Sequence, residues 1–163
     1  MIGTALLMLA PAALPEALKA EGAWRLDEGR CVLSRNFASA AGPVTFGVQP
    51  NIGAPGGELV LVLPGRAAGR YEVDEGRIEL GDGAASFPAV WSRVGRRDQA
   101  FNGVAVQPAD GFWAALPGAK SLTLDMGKRR RLGFELGPMG AATAALEKCR
   151  GDQAAQMAAA RKR

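Results

Sequence analysis

The stretch of sequence that decides the fold, residues 121–149, reads SLTLDMGKRRRLGFELGPMGAATAALEKC. Apolar residues occupy every second position on both sides of a polar connection, namely Leu122, Leu124, Met126, Leu132, Phe134 and Leu136. Because successive side chains of a strand point to opposite faces, a period of two places each set on one face. The polar residues 127–131 between the two sets therefore predict a hairpin of paired strands.

A helix is predicted directly after this hairpin. Pro138 suits the first turn of a helix, where a missing N–H costs nothing. Apolar residues then recur at steps of three and four, at Met139, Ala142, Leu146 and Cys149. This spacing puts them on one face of the helix, and Gly151 is a natural helix end. We expect a helix laid over the core, with its last cysteine pointing inward.

Composition indicates one mostly β domain. The chain has 163 residues, 48% of them hydrophobic and 22% charged, which is ordinary for a globular protein. Its 22 Gly and 10 Pro favour many turns. Short alternating or apolar runs separated by turn residues recur along the chain, and residues 59–63 read as a central strand covered on both faces. We predict a β-sandwich or a partly open barrel of roughly eight to ten strands, with the C-terminal helix packed on it.

The N-terminus resembles an export signal. Residues 2–14 are apolar and uncharged, too few to span a membrane, and they include the small-residue pattern Ala10-Pro11-Ala12. No Lys or Arg precedes them, so an N-terminal helix packed on the core is the alternative. We expect residues 1–20 to be a signal peptide or apolar segment, 21–151 a β-rich domain and 152–163 a basic tail. The predicted location is periplasmic or secreted, without a transmembrane span.

The chain has two cysteines, Cys31 and Cys149, and both are predicted to point toward the core. If the chain is exported, such a pair indicates a structural disulfide. Two buried thiols in a cytosolic protein are the alternative.

The chain contains no histidine, which excludes Ser-His-Asp and Cys-His catalysis and every metal site that needs histidine. We expect no catalytic residue, no metal and no cofactor. The acidic residues Glu72, Asp74 and Glu75 have the oxygen ligands that calcium prefers. A charged hairpin turn explains them better.

Positive charge is concentrated at the C-terminal end. The net charge is +4, and residues 128–163 hold nine Lys or Arg against three Asp or Glu. Such a distribution suits an anionic surface. Candidate anion-binding residues are Arg93, Arg96, Arg97, Lys128, Arg129, Arg130 and Arg131. A solvated turn and a frayed tail are the alternative.

The C-terminal pattern carries a resemblance. A strand ending LTLDMG, followed by LGFELGPMGAATAALEKC and preceded far upstream by Trp24, Cys31 and Arg35, resembles uncharacterised exported proteins of alphaproteobacteria. It is similar, more distantly, to the invasion-associated locus B family of periplasmic proteins. The resemblance implies an envelope location and a β-rich domain, and it brings no established activity.

The leading hypothesis is a non-catalytic cell-envelope protein that binds a protein partner or an anionic envelope component. One alternative is a hydrolase without histidine that acts through carboxylates, and two facing carboxylates in a cleft would favour it. The least favoured is a cytosolic nucleic-acid binder that uses the basic turn and tail.

Overall fold

A computed structural model of the chain describes residues 14–65, 71–94, 102–127 and 130–162. Residues 1–13, most of the predicted signal segment, lie outside these ranges. The described chain forms nine strands and two α-helices, in the order β1 Glu16–Asp27, β2 Val32–Ser39, β3 Gly42–Pro50, β4 Gly57–Leu63, β5 Glu72–Leu80, β6 Ala85–Val94, β7 Asn102–Pro108, α1 Phe112–Ala115, β8 Ser121–Asp125, β9 Arg131–Glu135 and α2 Gly140–Ala160. A 3₁₀ turn, Leu116–Gly118, follows α1.

The nine strands form one closed barrel, in the spatial order β1-β2-β3-β4-β7-β6-β5-β8-β9. Neighbouring strands are antiparallel except β1 and β9, which pair in parallel and close the barrel. The predicted mostly β class with a C-terminal helix is confirmed. The sandwich alternative is wrong, because the strands wrap into one closed wall.

Period-two alternation fills the interior of the barrel. In the hairpin of β8 and β9, Leu122 lies opposite Phe134 and Leu124 opposite Leu132, and all four side chains are buried. Aromatic rings meet at the centre, where the ring centroid of Phe134 lies 4.9 Å from that of Phe46 and 5.1 Å from that of Phe37. The predicted hairpin is confirmed, and its apolar face is one wall of the core.

The seam between β1 and β9 explains a charged residue on an inward face. The parallel pairing covers only Glu16 to Leu18 of β1, which then bulges near Gly22. Beyond it, Arg35 Nη1 and Trp24 Nε1 each donate to the carbonyl of Leu136 at 3.0 Å. Arg35 Nε also donates to the carbonyl of Gly22 at 2.9 Å. Arg35 therefore satisfies backbone groups that the diverging strands leave without a ladder partner.

Helix α2 closes the end of the barrel where β2 begins. Met139 and Leu146 are buried there, and the predicted disulfide joins Cys31 to Cys149 with the Cα atoms 5.7 Å apart. Arg150 donates to the carbonyls of Asn51 and Ala54. The helix is thus fastened to the barrel at its middle by a covalent bond and by hydrogen bonds to loop carbonyls.

Three local predictions are wrong. The helix runs through Gly151 to Ala160, and it begins at Gly140, two residues after Pro138. Strand β4 is covered on one face only, because Val60 and Val62 lie partly exposed on the outer wall.

Two element boundaries also differ from the predicted divisions of the chain. Strand β1 begins at Glu16, inside the range 1–20 that we assigned to the N-terminal segment. Helix α2 crosses the predicted boundary between residues 151 and 152.

Candidate functional site

A group of polar side chains faces inward at the end of the barrel opposite α2, where β6 ends and β7 begins. We call this group the mouth, and it consists of Glu72 and Asp74 on β5, Trp91 and Arg93 on β6, and Asn102 on β7. Glu72 lies opposite Arg93 and Asp74 opposite Trp91 in the β5–β6 ladder. Because Trp91 is buried in the barrel and side chains alternate along a strand, its neighbours of the same parity share the inner face.

Three polar atoms of the mouth are buried without a hydrogen-bond partner in the described part of the chain. They are Nε1 of Trp91, Nε of Arg93 and Oδ1 of Asn102. The whole side chains are also deep, since Trp91 is 3% and Asn102 8% exposed. A buried donor or acceptor without a partner costs about 1–3 kcal/mol. Among the described residues, the mouth therefore has two N–H donors and one oxygen acceptor without a partner of their own.

The sequence-predicted cations divide between the inside and the outside of the barrel. Arg130 Nη2 lies 3.2 Å from Glu16 Oε2. Arg131 lies 3.4 Å from Glu79 and 3.3 Å from Asp125, on the outer wall. Arg93 alone of these three faces inward, and it takes part in none of the ion pairs found between described residues.

The other four predicted cations, Arg96, Arg97, Lys128 and Arg129, lie outside the described residues. A single basic surface made of all seven therefore stays a prediction. The described members are not equivalent, because Arg130 and Arg131 already face carboxylates at short range.

The acidic residues of β5 do not converge on one point. Glu75 lies on the outer face, while Glu72 and Asp74 lie on the inner face. Within the described ranges, no three His, Cys, Asp or Glu residues are grouped so that they could hold a metal ion. The residues opposite the two inner carboxylates are Arg93 and Trp91, not a second pair of carboxylates.

A groove of about 700 Å³ crosses the outer wall over β1, β9, β8 and β5. Its floor consists of the small residues Ala17, Gly133 and Thr123, which are neighbours across the three strands. Glu79 and Arg131 stand at its side and pair with each other. The groove is a second concave surface, and it is also lined by the charged residues Lys19, Asp82 and Glu135.

The sequence alone pointed to Arg93, and it offered Trp91 either as aromatic surface beside the basic residues or, as the better-supported interpretation, as a core residue, but it did not point to Asn102. The available signal was the spacing of Trp91 and Arg93, which places both on one face of a strand. Which face is the inner one depends on the barrel order, in which β7 lies between β6 and β4. That order brings Asn102 to the same end of the barrel as Trp91 and Arg93, and no local sequence pattern predicts this position.

No helix in the described ranges has both the length and the apolar character needed to cross a membrane. Comparison with protein-family models, with curated proteins and with solved structures finds no match for this chain.

Proposed function

We propose that the protein is a non-catalytic binding protein of the bacterial cell envelope, and that its mouth receives an anionic group of its ligand or partner. The observation that carries this proposal is the pair of inward N–H donors on β6. Trp91 and Arg93 are two residues apart on one face, which places them about 7 Å apart along the strand. A closed barrel holds both in fixed positions, so little conformational freedom is lost on binding.

Arg93 is the group of the mouth that would bind an anion, beside the carboxylates of Glu72 and Asp74. A guanidinium binds carboxylate and phosphate oxygens through paired N–H groups. Indole N–H groups only donate, so Trp91 adds a second contact to an oxygen. Asn102 contributes an acceptor for a hydroxyl or amide on the same ligand. The predicted ligand therefore carries a carboxylate or phosphate beside a hydrogen-bond donor.

The envelope location is supported by the disulfide between Cys31 and Cys149, which are 118 residues apart in sequence. Structural disulfides persist in oxidising compartments and are rare in the cytosol of mesophiles. The test is the intact mass of the protein from its native host, with and without thiol alkylation under denaturing conditions. Loss of roughly the first dozen residues and no alkylation are expected. A full-length chain that takes two alkyl groups would overturn the envelope assignment.

The proposed binding at the mouth is tested by titrating the protein with inorganic phosphate and with a panel of small hydroxy-carboxylates. Tryptophan fluorescence and calorimetry measure the affinity. Arg93→Gln removes the charge at the mouth. A hydrogen bond to a charged group contributes about 1.5–3 kcal/mol, so binding should weaken roughly 10- to 150-fold. The matched control is Arg25→Gln, which removes an exposed Arg on the outside of β1. Equal affinities of the two variants, or no binding by the wild type, would contradict the proposal.

A further inference from the structure

The disulfide between Cys31 and Cys149 can be reached from one side. Cys31 is 0% exposed, whereas Cys149 is partly exposed. Cys149 lines a depression of about 520 Å³ between α2 and the turn after β1, and its Sγ lies 3.4 Å from the carbonyl oxygen of Glu28 in that turn. All residues that line the depression are among the described ones. A thiol in solution can therefore reach the sulfur of Cys149 but not that of Cys31.

Cys31 has a backbone conformation that its surroundings must enforce. Its φ is 50°, and no other non-glycine residue in the described part of the chain has a positive φ. Such a left-handed conformation is unfavourable for a residue with a Cβ, and it persists only where neighbouring contacts hold it. The bond to Cys149 and the turn at Asp27 are two such constraints. Because opening the bond removes one of them, this disulfide should be easier to reduce than one between unstrained residues.

Helix α2 buries few of its own residues. They are Thr143 and Leu146, and residues 155–160 are exposed throughout. Helices in proteins draw most of their stability from the packing of an apolar face, so the disulfide carries much of the docking of α2. The helix contacts β1, β2 and the 3₁₀ turn. Its departure from the barrel would therefore uncover apolar side chains at that end, including Leu116, which is buried in the closed form.

We propose that the Cys31–Cys149 bond is a redox switch, which a dithiol reductant opens from the side of Cys149 so that α2 separates from the barrel. The attacking thiolate forms a bond to Sγ of Cys149, and the electron pair of the S–S bond leaves with Sγ of Cys31, which takes up a proton. The second thiolate of the reductant then attacks the first sulfur of the reductant, and Cys149 leaves and takes up a proton. The protein thus gains two electrons and two protons, and the reductant ends as a disulfide. None of these residues belongs to the mouth, so the switch does not depend on binding there.

The charges around Cys149 favour one kind of reductant. Lys148 Nζ pairs with Asp152 Oδ2 at 2.7 Å, and Glu28 adds a further carboxylate to the same depression. The thiolate is the attacking form of a thiol, and it carries a negative charge. Because Glu28 repels this charge, Cys149 should favour a thiol with a cationic group beside it over a thiol with an anionic group.

The site of attack is tested with two monothiols of opposite charge, cysteamine and mercaptoethanesulfonate. Each is mixed with the oxidised full-length protein and quenched early in acid, and the mixed disulfides are located by peptide mass mapping. We expect adducts on Cys149 to exceed those on Cys31 by about tenfold or more, because access decides which sulfur is attacked. Equal labelling of the two cysteines would overturn the inference.

A charge variant tests the depression itself. Glu28→Gln should lower the ratio of the cysteamine rate to the mercaptoethanesulfonate rate by about two- to fivefold at low salt, because the carboxylate no longer separates the two charges. Comparing this ratio between variants cancels the different reactivities of the two thiols. The matched control, Glu21→Gln, removes an exposed carboxylate from β1 and should leave the ratio unchanged. An equal change in both variants would mean an effect of net charge only and would overturn the inference.

A switch must also open while the barrel is folded. Reduction by dithiothreitol without denaturant should be first order in dithiothreitol, and its rate should change little with urea below the unfolding transition. Trypsin should then cut after Lys148 or Arg150 in the reduced protein, while the tryptophan fluorescence of the barrel stays native. Oxidised dithiothreitol should restore resistance to trypsin. Reduction only at the rate of global unfolding, or a reduced protein whose α2 resists trypsin as the oxidised one does, would overturn the inference.

Discussion

At the scale of single residues, Asp27 holds the turn that leads into the disulfide. Its Oδ1 accepts the N–H groups of Gly29 and Arg30 at 3.0 and 3.2 Å. Its Oδ2 accepts Nε of Arg30 at 2.9 Å. Cys31 follows this turn and has a φ of 50°, a left-handed conformation that is unfavourable for residues other than glycine. Asp27 therefore helps to hold Cys31 where it meets Cys149.

The ionisation of Asp27 should make this turn sensitive to acid. The side-chain hydrogen bond from Arg30 is the main reason that the pKa of Asp27 lies below its ordinary value. Because the folded-state pKa is the lower one, Asp27 stabilises the fold above its unfolded-state pKa, and this contribution is lost as pH falls through the folded-state value. Asp27→Asn should therefore be less stable than the wild type at neutral pH, with a difference that shrinks in acid. Urea unfolding at a series of pH values measures it, and a difference independent of pH would contradict it.

At the scale of elements, the sequence predicted local strands and helices better than the pairing of strands that are far apart in the chain. The hairpin of β8 and β9 follows from the alternation of Leu122, Leu124, Leu132 and Phe134, a signal carried by neighbours in the chain. The disulfide could be predicted because the local spacing of apolar residues placed Cys31 and Cys149 each on an inward face. The pairing of β4 with β7 and the parallel seam of β1 with β9 join residues far apart, and no local periodicity distinguishes a closed wall from two packed sheets.

The misplaced end of α2 has a physical explanation. Glycine costs a helix roughly 1 kcal/mol relative to alanine, so Gly151 reads as an end in isolation. In the fold, Arg150 donates a hydrogen bond to the carbonyl of Asn51. Gln153 donates to the carbonyls of Glu28 and Gly29, each at 3.0 Å. These contacts hold the chain on both sides of Gly151, and tertiary contacts of this kind override a local preference.

Gly151→Ala should therefore stabilise the protein. An ideal Cβ at this position meets no atom within 4 Å. The gain should be about 0.5–1 kcal/mol, a rise in Tm of a few °C at most for a chain of this size. The contrasting variant is Gly57→Ala, where φ is +153° and a Cβ would lie 2.5 Å from the carbonyl oxygen of Gln49. Calorimetry should show opposite shifts, and a lower Tm for Gly151→Ala would contradict the account of the helix.

At the scale of the whole molecule, α2 depends on the barrel for its position more than the barrel depends on α2 for its core. The barrel has a core of its own, built from inward side chains of all nine strands and from Phe112 and Leu116 at the end near α2. Within α2, Thr143 and Leu146 are the buried residues. Burial of so little surface cannot by itself hold a helix of 21 residues. The disulfide and the hydrogen bonds of Arg150 and Gln153 must therefore contribute much of the docking.

Loss of the disulfide should weaken the whole fold and release α2 first. Closing a span of 118 residues stabilises a protein by up to about 4–5 kcal/mol in the chain-entropy model. The double variant Cys31→Ala/Cys149→Ala should lose up to this free energy of unfolding in urea, and reduced wild type serves as the control for the cavity that alanine leaves. In either protein, amide hydrogen exchange should quicken most in α2, because the helix can then separate from the barrel without straining a covalent bond. It should quicken least in β3 and β4. Uniform quickening over helix and barrel would mean that α2 and the barrel unfold as one unit, and that the bond acts on the unfolded chain alone.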